Sequence, residues 1–396
     1  MPLASWLAKR GHEVEVVTGF PNYPGGHFYD DVRLSMWRRE EIDGVRVNRI
    51  MLFPSHDRSA IKRILSYVSF ALSSSIIGTL LSRRPDVVYV YHPPATVGLT
   101  AMIWKRFRGV PFVFHVQDLW PDSVVESGMA GSRRVRSFVE WVTSWWCNRV
   151  YMSASAVVVL SNGFKRILTE RGVPSEHVVV IPNWTDESIH FPVQRDELLA
   201  QELGLDGHFN VIYSGNVGHY QNLQVALRAA DLLRDVPNLQ LVIVGTGQAA
   251  GDLQGLAERL RLDNVLFLDH RPYREMAPLT ALADVLLISL QDTPFFEATI
   301  PSKTQVAFAC GRPVLMAVRG DAADLVKAAG AGKTCAPDDA VELADAIRQM
   351  YQLSPIELAA IGERGRSYYL SELAMDRGAE RLEAVLIDAA VVDVES

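Results

Sequence analysis

Short runs rich in valine and isoleucine recur along the chain and alternate with longer segments in which apolar residues have helical spacing. Several runs are apolar at every position, which is typical of strands covered on both faces of a sheet. Alternation of this kind predicts an α/β protein with parallel sheets and helices on both sides. The predicted strands are Glu13–Thr18, Val45–Ile50, Val87–Tyr91, Val110–Val116, Ala156–Leu160 and Val178–Ile181 in the first half, and Asn210–Ser214, Leu241–Val244, Val265–Leu268, Val285–Ser289 and Pro313–Ala317 in the second.

The strand–helix pattern restarts near Phe209, after the polar and proline-containing stretch Pro182–Asp206. We therefore place a boundary within residues 190–205, between two doubly wound domains that face a cleft. The first domain is expected at residues 1–190 and the second at residues 191–370. A C-terminal helix at residues 371–396 is expected to return to the first domain.

One segment, Ile64–Leu81, carries no charge and is about long enough to span a bilayer. It contains five serines, however, and it leads directly into the predicted strand Val87–Tyr91. We therefore predict a buried or interfacial helix of the first domain rather than a membrane span. Basic residues elsewhere in this half favour peripheral contact with anionic lipid. They are Arg106, Arg108, Arg133, Arg134 and Arg136.

The composition excludes several classes of protein. The chain has 396 residues, of which 48% are hydrophobic and 21% charged, so it is neither disordered nor a collagen-like repeat. Its three cysteines lie far apart, which excludes a disulfide framework and a CxxC-type zinc site and fits a reducing, cytoplasmic compartment. The net charge of −7 is uneven, because residues 1–190 carry a basic excess and residues 191–396 an acidic one. Either surface charge is scattered by chance, or the first half meets an anionic acceptor or membrane surface.

Gly330–Thr334 has the sequence Gly-Ala-Gly-Lys-Thr, which is similar to the end of a phosphate-binding P-loop. The full motif requires a glycine five positions before Gly332, where this chain has Lys327. We therefore predict that the segment does not bind a nucleoside triphosphate.

Two glycine-containing turns follow the first two predicted strands of the second domain. Gly215 and Gly218 lie in the turn after Asn210–Ser214, and Gly245 and Gly247 follow Leu241–Val244. Ligands bind at the carboxyl ends of parallel strands, and glycines let backbone N–H groups approach a phosphate. Tight packing between turns is the alternative explanation for such glycines.

The segment Thr299–Gln305 predicts a helix that begins at Pro301 and Ser302, with Ser302 able to cap its N–H groups. The N-terminus of this helix carries partial positive charge and Lys303 adds a full charge, so together they suit a diphosphate. The alternative is an ordinary helix start with a solvated lysine.

His115 lies at the end of a predicted strand, and Asp118 follows closely, so both are expected at an edge of the first sheet. His115 can bond a hydroxyl of a ligand, and Asp118 can orient it or accept a proton from that ligand. Alternatively, His115 is a hydrogen-bonded structural residue and Asp118 caps the next helix. Trp120 and Trp184 are expected to line a ligand-binding cleft or to belong to the core.

Further motifs stand in a fixed order along the chain. They are Gly215-Asn216, Val244–Gly247, Ala283–Val285, Pro301–Lys303 and Gly311–Val314 in the second half, and Arg10–Val14, Val17–Pro24, Asp118–Ser123 and Ile181–Trp184 in the first. The motifs of the second half resemble the donor domain of GT-B-fold retaining glycosyltransferases of the glycogen-synthase-like group (family-4 type). Those of the first half resemble a narrower branch of bacterial O-antigen, capsule and exopolysaccharide glycosyltransferases that includes fucosamine-type transferases.

This resemblance implies that the first domain binds an acceptor and the second a nucleotide diphosphate-sugar, with UDP as the nucleotide. It implies transfer of an N-acetylated amino or deoxy sugar to a lipid-linked saccharide, with a polyprenyl diphosphate as the lipid carrier. The implied reaction retains anomeric configuration and uses no metal or other cofactor. It implies a cytoplasmic protein at the inner face of the membrane, without a nucleic-acid partner; the oligomeric state stays open.

Two departures from the family pattern affect the implied site. The family has an arginine and a lysine on the donor diphosphate where this chain has Asn216 and Gln221, so Lys303 becomes the candidate cation. The family also has two glutamates where this chain has Ala298 and Val306. Glu297 is then the candidate for the sugar contact, and the backbone or Gln305 for the ribose.

The resemblance thus implies a full set of site residues. The catalytic candidates are His115, Asp118 and Glu297. The donor-binding candidates are Gly215, Asn216, Gln221, Gly245, Gly247, Arg271, Ile300, Pro301, Ser302, Lys303 and Gln305. The acceptor-binding candidates are Tyr23, Trp120 and Trp184.

The chain begins with a helical pattern, Pro2–Arg10, followed by Gly11. Relatives in the family begin with a strand and a glycine-rich turn before this helix, so the first strand of the N-terminal domain is expected to be missing. Either the chain starts late, or another segment takes the place of that strand.

Two other functions remain open from the sequence. A nucleotide-sugar epimerase of the same fold needs acid–base groups at strand ends, of which this chain has few. A catalytically degenerate partner subunit is suggested by the loss of both family cations and both family glutamates.

Overall fold

The computed structural model describes residues 2–22, 27–28, 35–55, 60–122 and 133–392. The strands are Glu15–Gly19 (β1), Trp37–Ile42 (β2), Val45–Ile50 (β3), Val88–Tyr91 (β4), Phe112–Val116 (β5), Ala156–Val159 (β6), Val178–Val180 (β7), Phe209–Ser214 (β8), Leu239–Val244 (β9), Val265–Leu268 (β10), Val285–Ser289 (β11), Val314–Ala317 (β12) and Gly332–Thr334 (β13). Every strand predicted from the hydrophobic pattern is present within a few residues of its predicted ends.

The helices alternate with these strands. They are Pro2–Lys9 (α1), Ala60–Ser73 (α2), Thr79–Leu81 (α3), Gly98–Arg108 (α4), Arg133–Ser153 (α5), Asn162–Glu170 (α6), Glu197–Leu203 (α7), Gln224–Asp231 (α8), Ala250–Leu260 (α9), Met276–Ala281 (α10), Pro294–Glu297 (α11), Ser302–Ala309 (α12), Asp321–Ala329 (α13), Ala340–Tyr351 (α14), Pro355–Tyr368 (α15) and Met375–Val392 (α16). Two π-helical turns extend these helices. Ser74–Gly78 joins α2 to α3, and Tyr369–Leu373 follows α15 and leads to the turn before α16.

The chain folds into two compact units, one formed by residues 1–181 and 379–396 and the other by residues 182–378. Residues 182–190, which the prediction assigned to the first domain, thus lie in the second unit. They are tied there by hydrogen bonds: the Thr185 amide donates to Tyr369 Oη at 3.3 Å, and the Met375 amide donates to Glu187 at 2.9 Å.

In the first unit, β4, β5, β6 and β7 form a parallel four-stranded sheet in that order. A separate sheet has the order β1-β3-β2, with β1 parallel and β2 antiparallel to β3. Among the described residues, β1 and β4 each pair with a strand on one side only. The helix α16 packs on this unit, where Leu382 and Leu386 belong to the same buried hydrophobic cluster as Val113 and Val158.

Strand β2 was not predicted, because its sequence is dominated by charged residues. The turn that joins β2 to β3, Asp43-Gly44, has positive φ at both residues (51° and 77°). An Asp-Gly pair is a strong hairpin signal, so the turn rather than the strand could have predicted this hairpin.

In the second unit, six parallel strands form one sheet in the order β10-β9-β8-β11-β12-β13. The chain builds outward from β8 through β9 to β10, and then outward in the opposite direction from β11 to β13. The strand order therefore reverses between β8 and β11, where open α/β sheets bind their ligands. The P-loop-like segment ends in β13, which pairs with β12, so it is a strand of the sheet and not a phosphate-binding loop.

Candidate functional site

A cavity of about 330 Å³ lies at the point where the strand order of the second unit reverses. Ile212 and Ser214 of β8 and Ile288 of β11 line it, together with Lys303 of α12. Among the predicted donor-binding residues, Gly215, Asn216, Arg271, Ser302 and Lys303 line this cavity. A cavity of this size at the carboxyl ends of parallel strands suits a small-molecule ligand.

Two cationic side chains, Arg271 and Lys303, line this cavity. Burial lowers the pKa of Lys303 to about 8, because a desolvated ammonium is disfavoured. Its Nζ lies 4.8 Å from the centroid of the Tyr213 ring. Among the described residues, no carboxylate forms an ion pair with this nitrogen. The site thus contains a largely buried cation whose favourable contact is an aromatic face, and an anionic ligand would compensate its charge.

Gly215 leaves room for this lysine. A Cβ at position 215 would lie 2.8 Å from Lys303 Cε and 3.0 Å from Nζ, and its φ of +133° disfavours any L-residue. The glycine therefore allows Lys303 to lie against the end of β8.

Gly245 and Gly247 are explained by packing between turns. A Cβ on Gly245 would overlap the carbonyl oxygen of Gly215, and one on Gly247 would overlap that of Val217. The Gly245 amide donates to the carbonyl of Leu268 at 3.0 Å, so it continues the sheet ladder. These contacts support the packing alternative for both residues.

The helix α12 begins differently from the prediction. Ser302 was expected to cap it, but Pro301 is the N-cap residue and no side chain caps the first N–H groups. Gln305 is buried, and with its carboxamide suitably oriented it donates to the carbonyls of Pro301 (2.9 Å) and Ser302 (3.2 Å). The Gln305 side chain is therefore directed to its own helix, whereas the prediction assigned it to a ribose. Ile300 and Pro301 precede the helix as half-buried residues.

Asn216 and Gln221 lie in the turn after β8. The Tyr213 hydroxyl donates to the carbonyl of Asn216 at 2.6 Å, and the Gly218 amide donates to Gln221 Oε1 at 3.0 Å. Gln221 therefore stabilises the turn, and neither side chain adds a positive charge.

His190 also lines the cavity and was not predicted. It is 2% exposed and lies against the Tyr273 ring, with 5.1 Å between ring centroids. Neither ring nitrogen has a hydrogen-bond partner among the described residues. Burial lowers the pKa of His190, so the neutral imidazole has one donor and one acceptor to offer. The only sequence signal was a histidine within a polar linker.

Glu297 is the last residue of α11 and is half-buried. Its carbonyl oxygen packs so closely on Gly320 that a Cβ there would overlap it. Glu297 lies in the same unit as the cavity but is not among the residues that line it.

His115 of β5 is 2% exposed, and burial lowers its pKa to about 4. Its Nδ1 lies 2.6 Å from the Tyr89 hydroxyl and its Nε2 lies 2.9 Å from Gln117 Nε2. Because the Gln117 amide donates, Nε2 accepts and Nδ1 carries the proton in this neutral imidazole. Tyr89 and Gln117, rather than Asp118, thus orient His115. The β4–β5 register, which pairs Tyr91 with His115, places Tyr89 nearby.

Asp118 is half-buried, and burial raises its pKa. Trp120 lies against His92, with 5.5 Å between ring centroids, and against Tyr67 at 6.0 Å. It also lines a second cavity of about 290 Å³ with Tyr151 and Arg171.

The remaining acceptor-binding candidates lie elsewhere. Trp184 packs so tightly on Gly378 that a Cβ there would overlap its ring, so this face of Trp184 contacts the start of α16. Tyr23 lies outside the described residues. In the described parts of the chain, no group of three or more histidine, cysteine or acidic side chains could hold a metal ion.

Residues 1–184 match the glycosyl transferase 4-like domain, and residues 195–368 match the glycosyl transferases group 1 family. The chain is 30% identical over 315 residues to WcaI of Escherichia coli (strain K12), whose name assigns it to colanic acid biosynthesis as a glycosyl transferase. The alignment covers 78% of this chain and 76% of WcaI. The chain belongs to the group 1 glycosyltransferases.

Solved structures show that this glycosyltransferase has the GT-B fold. Sucrose-phosphate synthase from Thermosynechococcus elongatus superposes with a TM-score of 0.69 at 18% identity, covering 97% of this chain and 90% of that one. Anabaena HepE in complex with UDP and glucose superposes with a TM-score of 0.66 at 18% identity, covering 87% of this chain and 86% of that one. The predicted fold class is thereby confirmed, and the glycosyltransferase is related to enzymes of the colanic acid type.

Proposed function

We propose that this glycosyltransferase moves a sugar from a UDP-sugar to a lipid-linked saccharide during synthesis of a bacterial surface polysaccharide such as a capsule or O-antigen. The sugar is an N-acetylated amino or deoxy sugar, the anomeric configuration is retained, and no metal ion is required. The observation that carries the proposal is the largely buried ammonium of Lys303, without a carboxylate partner among the described residues, in the switch-point cavity.

In such a transfer, negative charge accumulates on the diphosphate as the sugar leaves. Fixed positive groups directed at those oxygens lower the barrier, because they need no reorganisation during the reaction. Lys303 supplies a full charge, and the N–H groups at the start of α12 have no side-chain cap. We assign the diphosphate to this end of the cavity, with Gly215 and Ser302 beside it.

UDP as the nucleotide is supported by Anabaena HepE, a protein of the same fold whose structure contains UDP and glucose. Arg271 follows β10 and lines the cavity with His190 and Tyr273, so we assign the nucleoside to this wall.

For the acceptor, we propose Asp118 as the group that takes up the hydroxyl proton, since burial raises its pKa towards the range suited to a general base. His115 is proposed to bond a sugar hydroxyl by exchanging one of its present partners, and Glu297 to contact the donor sugar. A polyprenyl diphosphate carrier, and work at the inner membrane surface, are supported by the basic excess of residues 1–190.

The test is to incubate the protein with UDP-, GDP- and dTDP-sugars and lipid-linked saccharide acceptors, with and without a chelator. We expect product to form from a UDP-sugar, at a rate that the chelator does not change. Nuclear magnetic resonance should show that the transferred sugar keeps the anomeric configuration that it has in the donor. Absence of transfer, together with no thermal shift from UDP, GDP or dTDP, would overturn the proposal.

A degenerate partner subunit is the second candidate, because the side chain of Gln221 stabilises a turn and neither Asn216 nor Gln221 supplies a cation. Tight UDP binding with no turnover on any acceptor would favour it.

A further inference from the structure

The helical stretch Lys62–Leu81 of the first unit turns its apolar side outward. Seven side chains between Lys62 and Leu80 are exposed, and six of them are large and apolar. They are Ile64, Leu65, Val68, Leu72, Ile76 and Leu80, the last with 77% of its side chain exposed. Five of the six follow one another at intervals of four residues, so they form a continuous stripe. Of the described helices, this one alone is long and apolar enough to cross a membrane, yet only 22% of it is buried.

The inward side of the same stretch is small and polar. The hydroxyls of Ser74 and Ser75 are buried and lie 2.7 and 3.1 Å from Thr100 Oγ1 of α4. Gly78 faces β1, since a Cβ there would lie 3.1 Å from Val17 Cγ1. A surface helix of a protein in water has the opposite arrangement, with apolar residues inside and polar residues outside.

The neighbouring helices extend this surface with aromatic side chains. Phe138, Trp141, Val142 and Trp145 of α5 are exposed at positions i, i+3, i+4 and i+7, so they lie on one helix face. The helix α4 packs against both α2 and α5, and its Phe107 is 79% exposed. We call the exposed apolar side chains of residues 64–80, Phe107, and those of residues 138–145 the apolar face.

Basic residues accompany the apolar face. Residues 60–110 contain seven lysines and arginines and a single acidic residue, Asp86. Lys62 and Arg83 lie at opposite ends of the stripe, and Arg106 lies beside Phe107; all three are exposed. Tryptophan and basic side chains around an apolar surface match the boundary between anionic headgroups and acyl chains.

The fold fixes the direction in which this stretch can meet a bilayer. Its π-turn packs against β1 and β3, and β4 begins at Val88, shortly after Leu81, all within the first unit. A transmembrane orientation would break the Ser74 and Ser75 contacts with Thr100 and separate the helix from these strands. The helix can therefore lie in the plane of the membrane with its apolar stripe inward.

We propose that the apolar face is the surface through which this protein lies on an anionic bilayer, with the stripe of residues 64–80 inserted parallel to the membrane plane. The inference rests on the proposed lipid-linked acceptor and names the surface that brings the enzyme to it. A second copy of the chain is the less suitable occupant, because a two-fold interface would bring two basic patches together.

The test compares two double variants by co-sedimentation with phosphatidylcholine vesicles that contain or lack phosphatidylglycerol. Leu72→Gln/Ile76→Gln alters the stripe, and Leu198→Gln/Ile356→Gln alters two side chains of the second unit that are 78% and 82% exposed. We expect the first variant to bind anionic vesicles about tenfold more weakly and the second to bind like the unaltered protein. Both should keep their melting temperature, since exposed substitutions rarely change stability.

Equal binding by both double variants, or binding unaffected by phosphatidylglycerol, would overturn the proposal. So would resistance to extraction by alkaline carbonate, which indicates a spanning helix, or a dimer in solution that only Leu72→Gln/Ile76→Gln dissociates. UDP binding is measured on the same samples. If the protein binds UDP but not vesicles, the proposed membrane surface is wrong and the proposed function stands. If it binds vesicles but neither binds UDP nor transfers a sugar, the proposed function is wrong.

Discussion

In each unit of this glycosyltransferase, an ionisable side chain is buried near the carboxyl end of a central strand, His115 in the first and Lys303 in the second, and the two are satisfied in different ways. In the first unit, both nitrogens of the neutral His115 have protein partners, Tyr89 and Gln117. In the second unit, the Lys303 ammonium has an aromatic face but no carboxylate partner among the described residues. The polar groups of His115 are therefore satisfied within the protein, whereas the charge of Lys303 is left for a ligand to neutralise.

The difference predicts which substitutions should change stability and which should change ligand binding. A buried polar group with its partners contributes to folding, and its loss leaves those partners unpaired. A buried charge without a partner costs folding energy and is recovered only when an anion binds.

Replacing the lysine should have the largest effect on binding. For Lys303→Met we expect about 100-fold weaker UDP binding, roughly 3 kcal/mol, because a charge-assisted contact to the diphosphate is lost. The unliganded protein should melt at the same or a higher temperature, because the desolvated charge is removed. Isothermal calorimetry and thermal melts measure both, with Lys303→Arg as the charge-retaining control. If Lys303→Met melts at a lower temperature than the unaltered protein and binds UDP with the same affinity, Lys303 serves stability rather than ligand binding.

Replacing the histidine should lower stability without changing UDP binding. His115→Leu removes the hydrogen bonds that His115 makes with the Tyr89 hydroxyl and the Gln117 amide, so we expect a loss of about 2 kcal/mol of unfolding free energy. UDP affinity should remain unchanged, since this residue lies in the first unit. Denaturant unfolding gives the stability, and His115→Gln, which can still bond a neighbour, should lose less. A stable His115→Leu protein would show that the network is not structural.

The pH dependence of UDP affinity and of stability should test the role of Lys303 without any substitution. The pKa of Lys303 is about 8 in the unliganded protein, and a bound diphosphate raises it, so UDP affinity should fall about tenfold from pH 7 to pH 9. The unliganded protein responds in the opposite direction. Its lysine loses the proton near pH 8, whereas the unfolded chain keeps it to about pH 10.5, so this group increases stability as pH rises between those values. An affinity that does not change from pH 7 to pH 9 would contradict a role for Lys303.

The smallest expected effect concerns His190. His190→Phe removes two buried ring nitrogens that have no partner among the described residues, so the unliganded protein should not lose stability. If the nucleoside satisfies one of those nitrogens, UDP affinity should fall about fivefold while affinity for pyrophosphate stays the same. Calorimetry with the two ligands distinguishes these results. An equal loss for both ligands would place His190 near the diphosphate instead.

The sequence predicted the strands well, because buried parallel strands are apolar at nearly every position. It did not predict β2, whose residues are mostly charged, although the Asp43-Gly44 turn marked it. It also predicted Lys303 at the start of a helix, because helix starts have local signals. The partners could not be predicted: Tyr213 lies far from Lys303 in the chain, and Tyr89 meets His115 only through the β4–β5 register. Contacts between distant segments depend on register and packing, which the local pattern does not contain.

The most direct measurement is a crystal structure of the protein with UDP. We expect Lys303 Nζ to leave the Tyr213 ring and to lie about 3 Å from a phosphate oxygen of UDP, beside the start of α12. A structure in which UDP occupies the cavity while Nζ stays over the Tyr213 ring, with no phosphate oxygen in hydrogen-bond range, would contradict this expectation.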